Sequence, residues 1–401
     1  MNLFGGRDPA EPVEYEPTSV KELLVEMKDT SELLIDLAYS AVLHQSENIA
    51  REVLELEHRM DILQMRARMS LILAARNPSE AEQLAPVLGI VAGADKVSDA
   101  AGDIAKIVLE DIGLPDAMRG ALSEAVEVLV RGTIAPDSPY AGRTLLDINL
   151  ESETGVRVIA IRRDDDWILN PGPETVLKRN DVTILRGPEP NIEEVYERAT
   201  GEDYEVEPPV EPDIDDLERA VDSIVLMKNL SELAVDLAYG SVLFDNEELA
   251  EEVSNLEVEV DALQSRFEAW TLQAAKNAED PVALRGLIHL GVATEEVSDA
   301  ALEITEGVLR DLDVHPVVEL AVRESDEIIT RTTIAAGSAL DGTDVTEGVP
   351  DTDISTSVIA IRRPEEGWIV GPDLNTALRP GDVVITKGTR TSAVEFVELA
   401  E

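Results

Sequence analysis

The chain has no cysteine in 401 residues. Disulfides, thiolate nucleophiles and cysteine metal ligands are therefore excluded. Aromatic residues make up only 3%, so the cores must be built from Val, Leu, Ile and Ala. Histidine is almost absent. His44, His58, His289 and His315 do not recur at a common interval, and none has zinc-site or nucleophile–base spacing. No enzyme is expected. Long apolar runs are lacking too. Ala85–Val91 is far short of the ~20 residues that span a bilayer. The stretch 1–17 is acidic and has no apolar h-region, so no signal peptide is expected. There is no Gly-x-Gly-x-x-Gly and no P-loop lysine motif, so neither NAD nor nucleotide hydrolysis is expected. Basic charge is scarce: 33 Lys+Arg stand against 83 Asp+Glu, a net charge of −50. That argues against general nucleic-acid binding, which needs a basic footprint, and against docking on an anionic membrane.

Hydrophobic residues still make up 44%, so the acidity does not mean disorder. Self-repulsion at this charge opposes compaction in dilute buffer. Above about 1 M salt the Debye length falls to about 3 Å and the repulsion is screened. Only 8 of the basic residues are lysine and 25 are arginine. This composition resembles that of a cytoplasmic protein from a salt-accumulating halophile.

The chain repeats itself at an interval of 200 residues. Ser31–Tyr39 returns as Ser231–Tyr239, Val97–Ala101 as Val297–Ala301, and Val158–Arg163 as Val358–Arg363; Trp167 answers Trp368 one residue later. The divisions expected are a tail at 1–18, a helical domain at 19–121, a small α+β domain at 122–200, an acidic Pro-rich linker at 201–215, a second helical domain at 216–321 and a second α+β domain at 322–401. Val20, Leu23, Met27, Leu34, Ala38 and Ala41 lie on one helix face, as do Ile49, Val53, Leu56, Met60 and Leu63. A third helix is expected from about Ser79 to Asp111, and three antiparallel helices make a bundle. The period then changes. Val156–Arg163, Trp167–Leu169 and Asp181–Leu185 read as strands, and 192–199 as a closing helix. The fold class is α+β.

In the second part of each unit, three runs carry a resemblance: Ile134–Leu145, Val158–Arg163 and Pro173–Asp181, answered by Ile334–Asp344, Val358–Arg363 and Leu374–Asp382. They resemble the TrkA-C domain, the C-terminal (RCK C-terminal) domain of regulators of potassium conductance. Pro380-Gly381-Asp382 is close to that family's usual turn before the final strand. The first copy has Arg179-Asn180-Asp181 instead, and Asn also tolerates positive φ. The helical part resembles the three-helix unit of PhoU, the phosphate-uptake regulator family. Its paired acidic motifs fall on Glu57, Asp61, Asp95 and Asp99, and on Glu257, Asp261, Glu295 and Asp299. The residues after the first acid (Lys96, Glu296) and after the last (Ala100, Ala300) depart from that family's Arg and His.

Two candidate sites follow. The acidic pairs have i,i+4 spacing, so each pair shares a helix face. Together they would suit a hard divalent cation such as Mg²⁺ or Mn²⁺. The alternative is ordinary solvated acids in an acidic protein. The arginine pairs Arg162-Arg163 and Arg362-Arg363 end equivalent strands, and alternation sends neighbours to opposite faces. They would suit an anionic effector; some TrkA-C domains bind cyclic di-AMP, so that is the ligand to test. The alternative is ion pairing to acids such as Asp164–Asp166. The resemblance implies a regulator of a membrane potassium channel or cation transporter, built as an intrachain pseudo-dimer or a homodimer. A PhoU-like metal-binding scaffold regulating phosphate uptake is the other reading.

Overall fold

The computed structural model describes residues 19–401 apart from 76, 116–127, 165, 205–213, 245, 279, 311–326, 346–355, 365 and 373–375. The expected tail and most of the expected linker lie outside the described residues.

The first repeat opens with α1 (Val20–Leu43), α2 (Glu47–Ala74) and α3 (Pro78–Leu109). Their starts are legible chemistry. Ser19 accepts from the Glu22 backbone N–H at 3.1 Å, and Glu22 accepts from the Ser19 N–H at 3.3 Å, a capping box. Ser46 caps α2, and Asn77 caps α3 ahead of Pro78. Next come β1 (Val128–Thr133), the short α4 (Leu145–Ile148) and α5 (Leu150–Thr154), β2 (Arg157–Arg163), β3 (Asp166–Leu169), β4 (Val182–Gly187) and α6 (Glu189–Thr200). The second repeat gives α7 (Asp215–Phe244), α8 (Glu247–Asn277), a 3-10 turn (Pro281–Leu284), α9 (Arg285–Leu309), β5 (Glu327–Thr333), β6 (Thr356–Arg363), β7 (Gly367–Val370), β8 (Val383–Thr389) and α10 (Arg390–Ala400). Both sheets are antiparallel, with equivalent orders β1-β4-β2-β3 and β5-β8-β6-β7. Each has a register shift at the same place, between Val158 and Ala160 and between Val358 and Ala360.

The two helical units are not separate bundles. Helices α3 and α9 run antiparallel and touch along their length. A Cβ on Gly93 would lie 2.4 Å from Ile304 Cγ1 and 2.8 Å from the Ala300 carbonyl oxygen. A Cβ on Gly307 would lie 2.5 Å from Pro86 Cβ. Near one end, the Gly286 N–H donates to the Gly113 carbonyl at 2.8 Å. Glycine is needed at these points because the partner helix occupies the side-chain space. One buried apolar cluster therefore runs through both units. Hydrogen bonds cross the same seam: Ser31 Oγ and Tyr239 OH at 3.1 Å, and Tyr39 OH to Thr294 Oγ1 at 2.8 Å. The helical units thus pair within the chain.

Each sheet has two covered faces. One carries Leu129, Ala160, Trp167 and Ile184 into the core shared with the helices. The other packs Val128, Val130, Ile161 and Leu185 against Ile192 and Val195 of α6. In the second repeat Ala360, Trp368 and Ile385 join the helical core, while Ile361, Val384 and Phe396 form the small core behind. The two tryptophans therefore sit at the joint between sheet and bundle rather than inside a hairpin.

Candidate functional site at the sheet–bundle junction

Glu52 lies on the apolar stripe of α2, between Ile49 and Leu56, with its side chain only 3% exposed. A carboxylate placed there needs strong partners. It has two, both from the sheet. Arg131 Nε donates to Oε1 at 2.9 Å, and Arg162 donates through Nε to Oε2 at 2.5 Å and through Nη2 to Oε1 at 2.7 Å. The second repeat builds the same junction. Arg331 Nε donates to Glu252 Oε1 at 2.9 Å, and Arg362 Nη2 to the same oxygen at 2.7 Å. Burial pushes the Glu252 carboxyl up, but the guanidiniums of Arg362 and Arg331 outweigh it and hold the group below the usual carboxylate range. Each sheet is thus pinned to its own second helix by a carboxylate shared between two arginines.

The other arginine of each pair faces the opposite way, as alternation requires. Arg163 makes a bidentate pair with Asp181, Nε to Oδ1 at 2.9 Å and Nη2 to Oδ2 at 2.7 Å, and also reaches the Val176 carbonyl at 2.8 Å. Arg363 does the same with Asp382 (3.0 and 2.9 Å) and the Ala377 carbonyl (2.9 Å). Asp181 and Asp382 also accept the Lys178 and Arg379 backbone N–H groups. The turn ahead of each acid takes positive φ, at Asn180 (+69°) and Gly381 (+87°). The acid of the turn motif is therefore the anchor of the arginine. Arg162, Arg163, Arg362 and Arg363 all face carboxylates of the protein itself. The partners are Glu52, Asp181, Glu252 and Asp382, with Asp164 supplying only a backbone oxygen to Arg162 at 3.1 Å.

The acidic motifs lie elsewhere on the bundle. Glu57 and Asp61 of α2 face Asp99 and Asp103 of α3, and burial with these neighbours pushes Glu57 up. Burial first, then Asp99, raises Asp95 to about 6. In the second repeat burial first, then Asp299 and Asp261, raises Glu295 to about 7; Glu257 and Asp299 are raised by burial and by acids of the same group. These carboxylates feel one another but do not converge. Among the described residues, no three His, Asp or Glu side chains gather closely enough to hold a metal ion. In the first repeat Lys106 Nζ stands 2.7 Å from Asp103 and 3.9 Å from Glu57, the place a cation would take. As placed, the eight acids do not make a metal-ligand set.

Two cavities lie on the first sheet domain. One of about 650 Å³ opens between the α1–α2 turn and the sheet, lined among others by His44, Asn48, Arg131, Asn180, Tyr196 and Tyr204. The other, about 310 Å³, is bounded by Leu145, Leu146, Asn149, Arg157, Val158 and Pro173. The first includes Arg131, one of the two arginines on Glu52.

The sequence reading misses Glu52, Glu252, Arg131 and Arg331. One signal was available: Glu52 and Glu252 are acids at stripe positions of an amphipathic helix, and they recur at the repeat interval.

Family models match each repeat in the same order. The PhoU domain covers residues 24–108 and 224–308, and the TrkA-C domain covers 129–200 and 329–400. The chain belongs to these families, as two PhoU domains and two TrkA-C domains in tandem. It is similar to the probable potassium channel protein 2 of Methanocaldococcus jannaschii, 39% identical over 59 residues, covering 15% of this chain and 17% of that protein. It is also similar to the Ktr system potassium uptake protein C of Bacillus subtilis, 27% identical over 107 residues, covering 27% of this chain and 48% of that one. The chain thus spans half or less of these relatives. Among solved structures, the GsuK RCK domain matches over 68% of this chain and 63% of its own, at 14% identity and a TM-score of 0.18. The human SLO3 gating ring matches over 84% of each chain, at 10% identity and a TM-score of 0.22. Scores that low carry no argument about arrangement. Among the described residues, no helix is long and apolar enough to cross a membrane.

Proposed function

We propose that this protein regulates potassium transport: the two TrkA-C sheets sense an effector, and the fused PhoU bundle passes their state to a membrane potassium channel or cation transporter. The observation that carries this is the Glu52 junction beside the 650 Å³ cavity. A molecule bound there touches Arg131, and Arg131 shares Glu52 with Arg162. Binding that draws Arg131 away weakens the hold of the sheet on α2. A differential contact of this kind is what couples two sites. An anionic effector fits the arginine chemistry, and cyclic di-AMP is the one to test.

The similarity to potassium channel and uptake proteins supports the transport reading. Deleting the gene and following rubidium uptake tests it. Uptake is expected to lose its normal regulation, with rescue by the parent protein and not by a Glu52→Gln/Glu252→Gln variant. Unchanged potassium uptake would contradict the reading. The two PhoU domains favour a second reading, a scaffold that regulates phosphate uptake. Altered phosphate uptake with unaltered rubidium uptake would select it.

A further inference from the structure

The first helices of the two repeats face each other across a crevice that collects opposite charge. From α1 come Lys28, Asp29, Glu32 and Asp36, and from α7 come Lys228, Glu232 and Asp236. Each sheet adds a cation from an equivalent strand, Arg186 of β4 and Lys387 of β8. Three of the eight lysines in the chain are here, so in a protein of net charge −50 the concentration of cations is not a by-product of composition. The pairs are ordered: Lys28 Nζ to Glu32 at 2.6 Å, Lys228 Nζ to Glu232 at 2.7 Å, and Arg186 Nη1 to Asp36 at 3.3 Å. The Lys228 ammonium also lies 5.3 Å from the centroid of the Tyr39 ring, across the seam between repeats.

Asp36 and Asp236 are the repeat-equivalent acids at the centre. Asp36 faces Glu32 on its own helix, Lys228 and Glu232 on α7, and Arg186 on β4. Asp236 faces Glu232 on its own helix, Lys28 and Glu32 on α1, and Lys387 on β8. Each therefore touches the other repeat and its own sheet at once. The Asp36 side chain keeps 32% of its surface open, so protons reach it from solvent.

We propose that this crevice is a proton-responsive joint: uptake of protons by Asp36 and Asp236 removes the partners of Arg186 and Lys387 and frees the two sheets to move against the fused bundle. The inference rests on reading the sheets as sensor domains. It differs from the effector site, because the protons act at α1 and α7, away from the Glu52 junction.

The electrostatics agree. Burial raises Asp36 to about 6 against the pull of Arg186. Burial, with Glu32 next to it, raises Asp236 to about 7. A carboxyl raised in the folded state binds its proton before the unfolded chain does. Its contribution to stability is full below the unfolded value and is lost as pH rises through the folded one. Acidification through this window therefore steadies the bundle while it loosens the sheets. General acid unfolding would weaken both.

The test uses the full chain, whose lack of cysteine leaves no background for labelling. Spin labels on Leu146→Cys and Val394→Cys, both exposed and one on each sheet domain, report the distance between sheets near pH 8 and near pH 5 without any effector. The distribution is expected to shift or broaden reversibly at low pH. Adding Asp36→Asn and Asp236→Asn is expected to give the low-pH distribution at both pH values. If that pair fails to fold, Arg186→Gln with Lys387→Gln is expected to give the same result. Identical distributions at both pH values in the labelled parent overturn the joint, and so does a pH response that survives unchanged in either pair. Effector binding plays no part in this readout, so its failure leaves the proposed function standing.

Discussion

In the first repeat the acidic pairs of the second and third helices have lysines for company: Lys96 pairs with Glu303 across the seam, and Lys106 stands beside Glu57 and Asp103. In the second repeat the equivalent positions hold Glu296 and Glu306, and Glu295 is raised further than its counterpart Asp95. The junctions differ much less. Glu52 with Arg131 and Arg162, and Glu252 with Arg331 and Arg362, keep the same elements and the same distances to within a few tenths of an ångström. Charge on the open ridge has been free to drift between copies, while a buried carboxylate that joins two domains has not. The reason is energetic: exposed charges interact weakly in salt, whereas a buried charge that loses its partner has nowhere to go.

That contrast can be broken most severely at the junction. Glu52→Ala and Glu252→Ala each strand two arginines and are expected to cost about 3 kcal/mol. Denaturant unfolding in multi-molar KCl checks this, and the two losses should agree. A large loss in one repeat and none in the other would end the equivalence. The seam between the helical units comes next. Gly93→Ala and Gly307→Ala place a methyl group against Ile304 or Pro86 and are expected to cost about 1–3 kcal/mol. Asn77→Ala removes the cap of α3 and is expected to cost about 1 kcal/mol, with melting curves as the readout. The smallest effect sharpens the ridge comparison. Raising pH from 5 to 8 ionises Glu295 and Asp95 against their neighbours, so stability falls as pH rises. Glu295→Gln should flatten that slope more than Asp95→Asn, because Glu295 lies higher and has no lysine beside it.

The parts of the fold legible in the sequence are those where one interaction dominates. The apolar stripes of α1 and α2 and the caps at Ser46 and Asn77 are local signals, and the helices start where those signals put them. Alternation alone separates Arg162 from Arg163. The strand Val128–Thr133 is harder to see because both sheet faces are covered, so Val128, Leu129 and Val130 are all buried and show no alternation. The fusion of the helical units is invisible for a different reason. Gly93 and Gly307 read as weak points within helices until a partner 200 residues away fills the space. The junction acid is hidden by context, since Glu52 is one of 83 acids until its burial is known. Its partners come from strands 79 and 110 residues further on.

The central claim is that each sheet and its helix are energetically one piece through the shared glutamate. A double-mutant cycle on Glu52→Gln and Arg162→Met, read by denaturant unfolding in high salt, measures that directly. The account predicts a coupling of about 1–3 kcal/mol, matched by Glu252→Gln with Arg362→Met. Additivity within about 0.3 kcal/mol in both repeats would contradict it.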